Sequence, residues 1–413
     1  MGLTLFDIAY PVKQKINSNR LLPEQYVSTD SLLPDKQGRI QVGSLPLKPC
    51  SCTCFEPGDV LVGNIRPYLK KIWLADCSGG CSNDVLVFRS REGISFSYLY
   101  AVLLEDRFYS YVMLAPKGAK MPRGEESHIL RYPIPELDKN NRNLSGSFIK
   151  NITDRLSLLE QEMSILEQAY KKVFDYWFLQ FDFPDSNGKP YCSSGGVMEY
   201  NSTLKRSIPN GWKVESIGKH VNPSRGQSYD GTNLCDDGIP MLNLASFKPG
   251  GGYNQDGIKF FKGAFSKDKV LSPYDLVICN TQQTSIDFTK DIIGNALLVP
   301  DIFDSSIISS HHVTTLKCDD EDLKYYFYCL FNTSWFHKYI ARFTNGTNIL
   351  SLIYQGVEDY NTPIPPKDLL KEFAGTVRKA EERKSLILKE IHVLNDLKDY
   401  MLPLLLNGQA IIG

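Results

Sequence analysis

The chain has 413 residues, a formal net charge of −1, 42% hydrophobic residues and 23% charged residues. That length suggests two or three domains, and the composition excludes a disordered, collagen-like or strongly basic, DNA-sliding chain. No apolar run approaches the ~18 residues of a membrane span, and Met1 to Tyr10 lack the basic start and apolar stretch of an export signal, so a cytoplasmic protein with no membrane partner is expected.

Taken in chain order, the first half opens on Thr4-Leu-Phe-Asp-Ile8. Next comes a group of cysteines: Cys50, Cys52, Cys54, Cys77 and Cys81. Four of them would satisfy a tetrahedral zinc ion. Their spacing, C-x-C followed by C-x-x-x-C, is not that of a knuckle pair. The competing reading is a run of small residues at a strand edge with reduced thiols, as in a cytoplasm. Phe55-Glu-Pro-Gly-Asp-Val-Leu-Val62 reads as a turn and an apolar strand, with Asn64, Arg66, Lys70 and Lys71 just beyond. Asp84-Val-Leu-Val-Phe88 reads as a second strand and Tyr98 to Val112 as helical. Lys117, Lys120 and Arg123 flank Gly118, and Tyr132-Pro-Ile-Pro135 closes the segment.

A long helix follows. Ile152, Leu156, Leu159, Met163, Leu166, Tyr170, Val173 and Trp177 alternate spacings of four and three, the heptad period of a coiled coil. The stretch from Phe181 to Arg206 holds Pro184, Asn187-Gly188, Pro190 and Ser193-Ser-Gly-Gly196, which punctuate turns and extended chain. Asp185 and Lys189 fall there and are expected to form a turn rather than a nuclease pair.

The second half repeats the first. Lys213-Val-Glu-Ser-Ile217 answers Thr4 to Ile8. Leu271-Ser-Pro-Tyr-Asp-Leu-Val-Ile278 answers Phe55 to Val62, with Asn280, Thr281, Gln282 and Gln283 beyond it. Ile292 to Val299 reads as a strand, and Asp322 to Ile340 as helical. Arg342, Asn345 and Asn348 flank Gly346, and Thr362-Pro-Ile-Pro365 answers Tyr132 to Pro135. A second heptad seam follows at Val377, Ala380, Lys384, Ile387, Ile391, Leu394, Lys398, Met401 and Leu405. It maps onto the first at a constant offset, from Ile152 and Ala380 to Trp177 and Leu405. The stems of Lys384 and Lys398 are expected to cover the apolar strip while their charges reach water.

The predicted architecture is therefore α+β. A globular domain over 1–147 leads to a helix over 148–179 and a linker over 180–207. A second globular domain over 208–366 leads to a helix over 367–407. The two seams are expected to bury against each other as an antiparallel pair, through Ile152, Leu156, Leu159, Met163, Leu166 and Val173 on one helix. On the other, the contacts are Val377, Ala380, Ile387, Ile391, Leu394 and Met401. The competing reading is a coiled coil that serves only for dimerisation or as a scaffold without a nucleic-acid role.

No catalytic constellation emerges. The sequence holds no G-x-x-x-x-G-K-[ST] loop, no H-E-x-x-H pair and no G-x-S-x-G elbow. The amino-methyltransferase pattern is also absent, since Pro365-Pro366 runs into Lys367. On a strand, the adjacent His311 and His312 would face opposite sides, which disfavours a joint metal role, and a polar loop or a DNA contact is expected instead. Residues 1–147 carry a net charge of +3 and residues 208–366 a net charge of −4, so neither domain attracts phosphate strongly alone. Base reading needs only a few side chains. The candidates are Asn64, Arg66, Lys70, Lys71, Lys117, Lys120 and Arg123 in the first half. In the second half they are Asn280, Thr281, Gln282, Gln283, Arg342, Asn345 and Asn348. Amide-rich Asn-Thr-Gln-Gln suits adenine edges; the competing reading is a solvated loop.

Several strings together resemble one family. They are Asp175-Tyr-Trp-Phe178 leading to Phe181-Asp-Phe-Pro-Asp185, Asn187-Gly-Lys-Pro-Tyr191, Ser193-Ser-Gly-Gly196, Ile208-Pro-Asn-Gly-Trp212 and Pro403-Leu-Leu-Leu-Asn-Gly-Gln409. With the repeat, they make the chain resemble the specificity subunit of a type I restriction–modification system over nearly its whole length. The resemblance implies two target-recognition domains that each read half of a bipartite site in double-stranded DNA. It implies paired helices that fix the unread spacer. It also implies a chain with no active site or cofactor of its own. Modification subunits, two in number, would bring S-adenosylmethionine and flip an adenine from the duplex. Restriction subunits would bring ATP-driven translocation and cleavage.

Overall fold

The computed structural model describes residues 2–41, 44–118, 120–283 and 290–412. The chain divides into two compact units, Met1–Leu158 with Ile391–Gly413, and Leu159–Glu390.

In the first unit a four-stranded antiparallel sheet runs Ala9–Pro11, Val85–Ser90, Val60–Gly63, Ile72–Leu74 in spatial order. The strand Val60–Gly63 is apolar throughout because both of its faces are covered. Val60 and Val62 join Phe88 and the helices Phe96–Leu104 and Asp106–Val112 in one core. Leu61 points the other way, into a second core with Val85, Val87, Phe55 and Cys81. That second core lies against a further sheet, ordered Lys15–Asn17, Ser51–Phe55, Gly79–Cys81, Tyr26–Val27, whose last pair is parallel.

The second unit has the same plan. Its four-stranded sheet runs Val221–Arg225, Val313–Cys318, Leu276–Cys279, Ala296–Leu298. Leu276 and Ile278 face the helical core, and Val277 and Cys279 face the other. The companion sheet has five strands and again contains a parallel pair, Ile239–Leu242 with Ile307–Ser309. The helices Glu321–Phe331 and Ser334–Ile340 stand where Phe96–Leu104 and Asp106–Val112 stand in the first unit.

The matching strings of the sequence have matching structural jobs. Each opening string pairs with its own Pro-Ile-Pro string. Thr4 bridges Pro133 in one unit, and Lys213–Ser216 pairs with Asn361–Ile364 in the other. The beginning and end of each globular segment are thereby pinned together. Each central strand is entered through the same aspartate-closed turn. Asp59 accepts the Glu56 N–H at 2.8 Å, and Asp275 accepts the Ser272 N–H at 2.8 Å.

Two long helices complete the α+β architecture: α1, Lys139–Phe174, and α2, Lys367–Leu406. α1 begins earlier than the predicted 148. Asp138 caps it by accepting the Asn141 N–H at 2.9 Å, and its first turns press on the helix Phe96–Leu104. A Cβ on Gly146 would lie 2.4 Å from the Tyr98 nitrogen, so only glycine fits there.

Within the second unit the two helices run antiparallel. Glu162 meets Arg383 through two hydrogen bonds of 2.6 and 2.9 Å, and Phe174 meets Phe373 at 5.9 Å between ring centres. Leu159, Tyr170, Val377 and Ile387 are buried, while Met163, Leu166, Val173 and Ala380 are half-buried. Full burial of a leucine or isoleucine is worth about 1.5–3 kcal/mol. In the first unit Ile149, Leu402 and Leu405 share one core, with Met401 packed against it. Ile152 is buried there, and Leu156, Ile391 and Leu394 are half-buried.

Lys384 departs from its predicted role. Its ammonium does not reach water; the residue is only 6% exposed. It bonds Glu167 at 2.8 Å and Glu381 at 2.9 Å. Tyr328 donates to Glu381 and shares a 3.0 Å hydrogen bond with Tyr170. Burial works against the lysine charge, but Tyr328, Glu381 and Glu167 outweigh it and hold the ammonium pKa well above the ordinary lysine range.

The stretch after α1 is folded rather than extended. Phe183 stacks on Trp212 and on Tyr191, and Arg206 lies 4.5 Å over Phe181. Asp185 closes the expected turn by accepting the N–H groups of Asn187 and Lys189 at 2.8 and 2.9 Å.

Candidate nucleic-acid interface

In each unit one rim of the four-stranded sheet gathers the candidate residues. In the first unit the strand Val60–Gly63 ends at Asn64, whose N–H donates to the Asp84 carbonyl at 2.8 Å. Ile65 bridges Arg123, which belongs to the small hairpin Pro116–Lys117 with Arg123–Gly124. Asn64, Arg66, Lys117 and Arg123 therefore come together.

Most of the basic groups there are already committed. Arg123 bonds Asp84 at 3.0 Å, and Lys117 bonds Glu125 at 2.9 Å. Lys70 and Lys36 share the Asp106 carboxylate at 2.9 and 2.6 Å. Burial opposes that carboxylate's charge, yet the two ammonium groups hold its pKa below the usual range. Lys71 donates to the Thr29 carbonyl at 2.5 Å. Lys70 and Lys71, two of the base-reading candidates, thus tie loops together with their ammonium groups already paired. Arg66 and Lys120 are exposed, and neither side chain has a hydrogen bond or ion pair among the described residues.

In the second unit the equivalent position is Asn280, whose N–H donates to the His312 carbonyl at 2.8 Å. Here the sequence expectation is corrected. Asn280, Thr281 and Gln282 are buried at 7%, 5% and 4% exposure, so no base edge reaches them. The reason is that Thr281–Gln283 forms a strand paired with Ile349–Leu352. The Gln282 side-chain oxygen accepts the N–H groups of Ile292 and Ile293, both at 2.8 Å, and is a structural strut. The side chain of Gln283 lies outside the described residues. Arg342, Asn345 and Asn348 are exposed around the hairpin that turns at Gly346, where φ is +124°.

His311 and His312 stand beside this rim in a turn, not on a strand. Their rings therefore do not face opposite sides but lie 4.0 Å apart between centres. Tyr229 packs on His311 at 5.4 Å, Lys259 lies 5.9 Å over Tyr229, and Arg225 donates to the His311 carbonyl at 3.1 Å. Burial lowers the His312 pKa to about 4, helped by His311, Lys259 and Arg225. Burial and Arg225 also lower that of His311. A neutral imidazole offers one donor and one acceptor nitrogen, which suits polar base edges.

All ten cysteines have free thiols. The Cys50 and Cys52 sulfurs lie 3.8 Å apart, and burial raises the Cys52 thiol pKa to about 11. Among the described residues no group of three or more His, Cys, Asp or Glu is placed to hold a metal ion. No described helix is long and apolar enough to cross a membrane.

The sequence and fold were compared with known proteins. No family model matches the chain. The MjaIX type I restriction enzyme specificity subunit of Methanocaldococcus jannaschii is 20% identical over 376 residues, covering 90% of this chain and 82% of that protein. The MjaVIII specificity subunit of the same organism is 19% identical, covering 79% and 77%. The type I restriction–modification S subunit from M. genitalium has the same fold, with a TM-score of 0.63 at 14% identity over 98% of this chain and 96% of that one. The chain is a homologue of type I specificity subunits.

In this specificity-subunit homologue, sequence reading missed Arg225, Tyr229 and Lys259 as members of the second rim. A signal was present. Asp84 and His312 each immediately precede an apolar strand, Val85–Ser90 and Val313–Cys318, and extending the repeat across them aligns the two rims. Lys36 was also missed, because only the folded loop brings it to Asp106.

Proposed function

We propose that this chain is the non-catalytic DNA-specificity subunit of a type I restriction–modification complex. The observation that carries this reading is similarity to a specificity subunit along 90% of the chain, in a fold where one sheet-and-helix unit occurs twice. Each unit reads one half of an asymmetric bipartite site in double-stranded DNA. The paired helices set the number of unread base pairs between the halves. Two modification subunits carry S-adenosylmethionine and flip the target adenine out of the duplex. Restriction subunits carry ATP-driven translocation and cleavage, and the whole complex works in the cytoplasm.

The charge pattern supports a shared grip. With a net charge of −1, the chain lacks the phosphate attraction of an independent binder. Partner subunits that close around the duplex supply the remaining contacts. The test is to reconstitute the chain with its modification subunits and map methylated adenines across a genome. Methylation confined to one bipartite motif is expected. Methylation without such a motif would defeat the reading.

A further inference from the structure

We infer that Arg66 is a base-reading residue of the first unit, and that it recognises a guanine edge in the major groove. The inference rests on the function proposed above and adds a residue and a ligand chemistry to it.

Three observations carry it. The first is the backbone. Arg66 has φ +52°, in the left-handed region that favours glycine. A non-glycine residue persists there only when its surroundings enforce it, and such positions concentrate at ligand sites. The enforcement is visible from both sides. The Arg66 N–H donates to the Pro122 carbonyl at 2.8 Å, and the Arg66 carbonyl accepts the Leu69 N–H at 2.9 Å. Ile65, immediately before it, bridges Arg123.

The second is the contrast between backbone and side chain. The backbone is fixed, yet the guanidinium is exposed and has no partner among the described residues. Around it Lys70, Lys71, Lys117 and Arg123 are each held by an acid or a carbonyl. Lys120, on the hairpin loop, is the one other candidate cation here without a partner among the described residues, whereas a phosphate-gripping surface would present several together. This rim presents a planar fork on a rigid pedestal, and bidentate recognition of guanine O6 and N7 needs that arrangement.

The third is the comparison between units. The position equivalent to Arg66 in the second unit is Gln282, which follows Asn280 by the same interval and is buried as a strut. A solvent-facing arginine at a left-handed backbone position in one unit, and a buried amide in the other, fit two units that read different half-sites.

The experiment uses the reconstituted complex with its modification subunits. Methylated motifs are mapped for the natural chain, Arg66→Gly and Arg66→Lys, with thermal melting of each. Arg66→Gly relieves the backbone strain, so its melting temperature is expected to hold or rise. Its motif is expected to lose preference at one G·C pair of one half-site, by about ten- to a hundredfold, with the other positions kept. Arg66→Lys keeps the charge but loses the fork, and should relax the same pair.

An unchanged motif in both variants would overturn the inference. So would an even drop in methylation at every site with the motif itself unchanged, the mark of a phosphate contact. A bipartite motif in the natural chain with unaltered variants would sink only the role of Arg66. Absence of a bipartite motif in the natural chain would sink the proposed function itself.

Discussion

Removing the Lys384 side chain should destabilise the second unit sharply, and removing its partner as well should restore most of the loss. The lysine side chain is 8% exposed, that of Glu381 9% and that of Glu167 26%. At an effective dielectric near 20, each unit-charge pair a few ångströms apart contributes about 4 kcal/mol of attraction. Desolvation of the three groups offsets most of it. Lys384→Met would leave two carboxylates without their cation. Stripping one partner from a buried pair costs about 3–5 kcal/mol. Glu167 can rehydrate, so the low end, about 3 kcal/mol, is expected. Lys384→Met with Glu381→Leu removes the stranded charge and should return to within about 1 kcal/mol of the natural chain, as apolar replacements of buried pairs do. The assay is urea unfolding followed by tryptophan fluorescence. Trp177 and Trp212 sit in or against the core of the second unit, so the signal reports it. With a slope of about 1–3 kcal/mol per molar urea, the single variant should unfold about 1 M or more earlier. A single variant as stable as the natural chain would refute the buried network. Equal losses in the single and double variants would refute the electrostatic account of it.

Two further predictions follow from close contacts. Gly146→Ala should destabilise the first unit by about 1–3 kcal/mol, although alanine favours helix by about 1 kcal/mol. Its Cβ meets the Tyr98 backbone, and thermal unfolding that showed a gain would contradict the packing of α1 there. Asp275 is half-buried, and burial, partly offset by the Ser272 hydrogen bond, raises its carboxyl pKa above the ordinary aspartate value. The folded state therefore holds the proton more tightly than the unfolded chain, and this group's contribution to stability falls as pH rises from the unfolded pKa through the folded one. Asp275→Asn keeps an acceptor for Ser272 and should be at least as stable as the natural chain at pH 7, with the advantage vanishing in acid. Melting curves across pH would show the opposite trend if the carboxylate were stabilising.

The repeat was the most legible part of the sequence, because its signals are local. A proline-aspartate turn before an apolar strand, a Pro-Ile-Pro closure and a heptad seam each carry meaning within a few residues. The structure gives each of them the same job twice. The start of α1 was hidden because Asn140 to Ser147 look polar, and only the folded neighbour explains Gly146. The rim residues were half legible. Asn64 and Asn280 open the equivalent stretch of each unit, as the repeat predicts, but burial of Asn280, Thr281 and Gln282 depends on a strand supplied by residues 349–352. The fate of Lys384 depends on Glu167, far away in sequence. Composition suggests that a seam lysine snorkels; only the partner's register reveals an internal ion pair.

The central claim is that each unit reads its own half of the DNA site. The direct measurement replaces residues 208–366 with the corresponding segment of another specificity subunit, reconstitutes the complex and maps its methylated motif. One half-site should change while the other half and the spacer length persist. A motif altered in both halves, or in neither, would contradict the account.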